Sequence, residues 1–207
     1  MLNTSGKDEI SQTNSLAVNV ALIAILAALA IGGNYALSAI PNVELSSVMV
    51  FLSGFLFGPL IGILTGLIAM TIYQLWNPWG AFLPPIGFAV IGCTMFIGLV
   101  GGILGRNFQL SATRGKIPLR WYLWPAFFGV IITLFYDLVT NLAYSITFVV
   151  PFVITLFTGL PFMVLHMTTN GILFGLLTPA ISRIAMQLNI GHLQFKRHAP
   201  IKNNNDM

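Results

Sequence analysis

The chain has 207 residues, 57% hydrophobic and only 7% charged, with a formal net charge of +4. Soluble domains carry about 25% charged residues, so a soluble fold is excluded and an integral membrane protein is indicated. The positive balance does not point to nucleic acid, because the cations cluster at the ends of apolar segments, as in membrane proteins.

Residues 1–15 are polar and read as a cytoplasmic N-terminal tail. The apolar run 16–37 follows. Its flank holds Lys7, Asp8 and Glu9, a net negative charge where a cleaved signal peptide needs a positive one. The run is therefore expected to be a retained membrane helix. Ala17, Ala21, Ala24 and Ala28 put small side chains on one face of it, which lets another helix approach closely. That face serves either packing within the bundle or an external partner.

The next apolar region, 45–75, would be about 46 Å long as one helix, well beyond a hydrocarbon core of about 30 Å. Gly58-Pro59 lies near its middle, and a residue before proline resists helical geometry. Two helices, 45–57 and 59–75, are expected, joined by a tight cytoplasmic turn. Gly58, Gly62 and Gly66, with Gly98 and Gly102, repeat a small-residue spacing that suits internal packing. The region 85–105 contains Cys93, a lone cysteine that makes neither a disulfide framework nor a thiolate metal site.

A loop with Arg106, Arg114, Lys116 and Arg120 precedes the apolar regions 121–149 and 160–186. Arg183, Lys196, Arg197 and Lys202 sit at or beyond the last of these. Cations gather on the cytoplasmic side of membrane proteins. The fold expected is an all-α integral membrane bundle of six transmembrane helices with both termini cytoplasmic. One membrane domain covers 16–188, and 189–207 form a basic cytoplasmic tail. The outer side then carries segments 38–45, 76–84 and 150–159.

Polar residues inside the apolar runs mark the functional end. Thr133, Asp137, Thr140, Asn141 and Tyr144 share one helical face, and His166 and Asn170 repeat a spacing of four. A carboxylate at bilayer depth is costly and faces a bundle interior or a cavity. Asp137 with His166 fits a ligand contact, a bridge between helices, or a proton relay. Tyr73, Gln74, Trp76, Asn77 and Trp79 form a cluster at one helix end. They fit an interfacial aromatic belt, or a stacking and hydrogen-bonding wall for a flat ligand. No nucleophile and base complete a catalytic constellation, and phosphate-loop and metalloprotease patterns are absent.

Pro41-Asn42-Val43-Glu44-Leu45, Phe51 through Gly58-Pro59, and Tyr73 through Gly80 together resemble the S components of energy-coupling factor (ECF) transporters. So do Tyr136 through Asn141, Gly159-Leu160-Pro161-Phe162, and His166 through Asn170. The resemblance covers residues 16–186. It implies a six-helix, non-enzymatic substrate-capture subunit in the cell membrane, binding a vitamin or related micronutrient from outside. Its implied partners are a transmembrane coupling protein and two ABC ATPases, which use the ATP; the chain itself binds no cofactor. The docking face implied is Ala17, Ala21, Ala24 and Ala28. The ligand set expected is Gln74, Asp137, Asn141, His166 and Asn170 for hydrogen bonds, with Tyr73, Trp76, Trp79 and Tyr144 for apolar area. Asn42, Glu44 and Asn77 belong to the outer loops that cap the pocket.

Relatives specific for cobalt or nickel use a histidine close to the N-terminus, whereas the histidines here are His166, His192 and His198. Metal uptake is therefore not expected. The outer half holds Glu44 and Asp137 but no Lys or Arg, and an anion ordinarily wants a cation in its site. A neutral or cationic ligand is expected, of pyrimidine or thiamin type, a queuosine precursor or a corrinoid. Two other readings are a proton-coupled transporter working through Asp137 and His166, and a membrane scaffold whose polar faces only bind helices together.

Overall fold

A computed structural model describes residues 4–40, 42–78, 80–107, 117–188 and 190. Pro41, Trp79, Arg114, Lys116 and the basic tail past Ile190 lie outside the described residues. Six helices make up the fold: α1 (Thr4–Leu37), α2 (Ser46–Phe57), α3 (Pro59–Leu75), α4 (Pro84–Asn107), α5 (Arg120–Phe148) and α6 (Phe152–Gln187). Among the described residues there is no strand.

The break between α2 and α3 falls where Gly58-Pro59 places it. Gly58 alone joins the two helices, at φ 104, a region closed to most side chains. Pro59 opens α3, where its missing N–H costs nothing.

Two boundaries differ from expectation. Helix α1 begins at Thr4, so helical geometry runs through much of the segment expected as a tail. No proline interrupts residues 4–15, so the helix propagates outward from its apolar span, Leu16–Leu37. Helix α6 begins at Phe152, not near residue 160, which leaves only Val149, Val150 and Pro151 between α5 and α6. Thr155 and Thr158 donate to the carbonyls of Pro151 and Ile154, four residues back. Both hydroxyls are thereby satisfied inside the helix, and the segment carries no turn chemistry of its own. Pro161 and Pro179 lie within α6, as membrane helices tolerate.

Among the described residues, four segments are long and apolar enough to cross a membrane: Leu16–Leu37, Pro84–Arg106, Arg120–Phe148 and Phe152–Gln187. Helices α2 and α3 are apolar but shorter, with 12 and 17 residues.

The shortest helix is the most enclosed. Ten of the 12 residues of α2 are buried, and it packs on α1, α3, α4 and α6. A helix apolar on all sides belongs in such a position. Phe51 and Phe55 of α2 meet Phe174 and Trp124 in the main core. On the other side, α2, α3 and α4 approach backbone to backbone. A Cβ added at Gly98 would strike the Gly62 backbone, and one at Gly54 would strike the Gly98 carbonyl. Gly98→Ala should therefore destabilise the bundle by about 1–3 kcal/mol, seen as a lower unfolding midpoint in detergent. A midpoint equal to the parent's would mean that the helices can part without loss.

Helices α5 and α6 form an antiparallel hairpin in strict register. Gly129 faces Phe174, Thr133 faces Asn170, and Asp137 faces His166, one turn at a time. Helix α1 lies against α2 and α3 through Ile23, Ala27, Ala30 and Asn34, all buried. Ala17, Ala21, Ala24 and Ala28 are on its exposed face.

Candidate ligand-binding site

A cavity of about 310 Å³ opens at one end of the bundle. Its wall takes Asn34 and Leu37 from the end of α1, and Ser38, Ile40, Asn42, Val43 and Glu44 from the α1–α2 connection. Helix α3 contributes Met70, Tyr73 and Gln74, followed by Asn77. Val90 of α4, Tyr136 of α5 and Phe162 of α6 complete it. Every peripheral helix thus supplies a wall residue, and the chain direction brings the ends of α1 and α3 beside the starts of α2, α4 and α6.

Helix α2 has no side-chain cap from Leu45, the residue before it. Its start is capped from α1. The Ser46 N–H donates to Asn34 Oδ1 at 3.0 Å, and Asn34 Nδ2 donates to Ser46 Oγ at 2.9 Å. Ser46 Oγ in turn donates to Glu44 Oε2 at 3.4 Å. A buried amide from one helix therefore satisfies an open helix end and holds a carboxylate on the cavity wall.

Two further bonds fix the wall. Thr169 Oγ1 of α6 donates to the Asn42 carbonyl at 2.9 Å, tying the α1–α2 connection across the mouth. Asn42 sits at φ 57, a left-handed conformation that asparagine accepts more readily than most residues. Tyr35 Oη donates to the Trp76 carbonyl at 2.6 Å, and its ring meets Tyr73 edge-on at 5.3 Å. Asn77 Nδ2 approaches Gln74 Oε1 at 3.5 Å.

The polar stripe of α5 has a different neighbour. Asp137 Oδ1 accepts from His166 Nδ1 at 2.8 Å, and the two residues are 6% and 3% exposed. A carboxylate can only accept here unless protonated, which sets the histidine Nδ1 as donor. One turn away, Asn170 Nδ2 donates to Thr133 Oγ1 at 2.9 Å. Asn141 Nδ2 donates to the Asp137 carbonyl at 2.7 Å. The first two bonds join α5 to α6, the third lies within α5, and none of these residues lines the cavity. Tyr136 links the two regions: it lines the cavity, and its ring stands edge-on against the His166 ring at 5.6 Å.

Of the residues singled out in the sequence, the cavity gathers Asn42, Glu44, Tyr73, Gln74 and Asn77. Asp137, Asn141, His166 and Asn170 stand behind it in the α5–α6 seam. Trp76 and Tyr144 are 68% and 45% exposed and off the wall, Tyr144 leaning on Phe148. Trp79 is outside the described residues. Sequence reasoning missed Asn34, Ser38 and Tyr136. Asn34 carried a signal, as an amide near the end of an otherwise apolar span.

The family described as ECF-type riboflavin transporter, S component, matches residues 10–183, most of the chain. Comparison with curated proteins and with solved structures gives no match. The matched region contains α2 to α5 whole, most of α1 and α6, and every described residue of the cavity wall. This multi-pass membrane protein belongs to the family of S components of ECF-type riboflavin transporters.

Proposed function

We propose that the chain captures riboflavin at the outer face of the cell membrane and presents it to an ATP-driven importer. The observation that carries this is a wall of amides and aromatic rings with no cationic side chain among its described residues, in a chain of this family. Riboflavin is uncharged. Its flat ring system has an edge of two carbonyls and an N–H, and its side chain is a row of hydroxyls. Tyr73, Tyr136 and Phe162 offer ring faces and edges for the flat part. Gln74, Asn77 and Asn42 offer donors and acceptors for the polar edge. Ser38 and Glu44 can accept from the hydroxyls. The cavity volume lies at the lower end of the range of about 300–1,000 Å³ usual for small-molecule sites.

Asp137, His166, Asn141 and Asn170 act one layer back, holding Tyr136 and the α5–α6 seam in place. The proton-coupled reading relied on Asp137 and His166 as the working groups, and their position behind Tyr136 favours the positioning role. S components work with a membrane coupling protein and ATPases, and the exposed face of Ala17, Ala21, Ala24 and Ala28 suits close approach of a partner helix. In this reading α2 and α3 cross the membrane as a pair, giving six spans, both termini inside and the cavity outside.

Purified protein should quench riboflavin fluorescence with one site per chain and a Kd below about 1 µM. Unchanged fluorescence and no retained flavin at about 10 µM riboflavin would overturn the assignment.

A further inference from the structure

We propose that Glu44 is a charge filter, admitting the uncharged vitamin and turning away its phosphate esters. This rests on the riboflavin reading above. Among the described residues, Glu44 is the only Asp, Glu, Lys or Arg on the cavity wall. Its Oε2 lies 3.4 Å from Ser46 Oγ, a long contact, and Ser46 is held through both Oγ and N–H by the buried Asn34.

No described residue of the wall offsets that charge. Arg106 lies 16 residues beyond Val90 on α4, and Arg120 lies 16 residues before Tyr136 on α5, each about 24 Å away along its helix. Arg183 is 21 residues beyond Phe162 on α6, about 31 Å. A helix start can receive a phosphate through its free N–H groups. At the start of α2, however, the Ser46 N–H is already given to Asn34 Oδ1. A phosphate monoester carries a charge of about −1.5 to −2 at neutral pH. Placed in this cavity it would meet the Glu44 carboxylate with no Lys or Arg of the described residues in reach, and the His166 imidazole, behind Tyr136, is already given to Asp137.

Three ligands separate charge from bulk: riboflavin, its neutral 5′-acetate and its 5′-phosphate, titrated by fluorescence against the full-length protein in detergent. The wild type should bind the acetate within about threefold of riboflavin and the phosphate at least about 30-fold more weakly. Glu44→Gln should bring the phosphate to within about tenfold of riboflavin, while Glu44→Asp should keep most of the discrimination. Rejection of the acetate as strong as that of the phosphate would make bulk the selector and overturn the filter. So would an unchanged phosphate-to-riboflavin ratio in Glu44→Gln. If the glutamine variant fails to fold, the three wild-type titrations still test selection by charge, and Glu44→Ala, with the same expected loss of discrimination, assigns it to Glu44. A wild type that binds none of the three refutes the riboflavin reading itself, an outcome distinct from one that binds riboflavin and the phosphate alike.

Discussion

His166→Leu should destabilise the bundle by about 3–5 kcal/mol, the range for removing one partner of a buried ion pair. The loss comes from what is left behind. Asp137 would keep a buried carboxyl whose Oδ1 has lost its donor and whose Oδ2 has no partner among the described residues. Protonating that carboxyl, or dragging water to it, costs free energy at this depth. The double variant Asp137→Leu/His166→Leu removes both polar groups and should recover most of the loss, because two leucines need no partners. Chemical unfolding in detergent reads both values. A single variant as stable as the parent would show that the pair is not closed in solution. Flavin affinity provides the second readout. Tyr136 rests on the His166 ring and lines the cavity, so the folded double variant should bind riboflavin roughly tenfold more weakly. Full affinity would confine the pair to holding helices together.

Asn34→Leu should cost about 2 kcal/mol and loosen the mouth of the cavity. Both amide atoms of Asn34 are engaged with Ser46, so the substitution strips α2 of its cap and the Ser46 hydroxyl of a donor at once. Lost caps cost about 1 kcal/mol, and a polar contact between membrane helices adds about 0.6–1.7 kcal/mol. Asn34→Asp keeps an acceptor for the Ser46 N–H but buries a second carboxylate beside Ser46 and Glu44, so it should be no more stable than the leucine variant. An Asn34→Leu midpoint equal to the parent's would mean that α2 finds its cap elsewhere, from water or from the neighbouring backbone.

The sequence made the helices legible where single residues forbid alternatives. Gly58-Pro59 could not continue a helix through an apolar run too long for one span, and the division falls there. The start of α6 was hidden because Gly159 and Pro161 look like punctuation, yet both sit inside a helix that has hydroxyls bonding back along it. The candidate site was half legible for a related reason. The spacing of Thr133, Asp137 and Asn141 correctly marks one face of α5, but periodicity says nothing about what that face meets. It meets α6. The cavity receives the neighbouring residue, Tyr136, rotated about 100° around the helix and invisible to a search for polar stripes. Asn34 and Ser46, 12 residues apart, meet only because α1 and α2 fold back on each other, a tertiary fact without a local signature.

The brevity of α2 has a consequence for where the vitamin would rest. Twelve residues give about 18 Å of helix against about 30 Å of hydrocarbon. If α2 crosses the membrane as proposed, the α1–α2 connection, which lines the cavity, would take up the remaining depth. A captured molecule would then be sunk below the water line, with part of its journey across the oily layer already behind it.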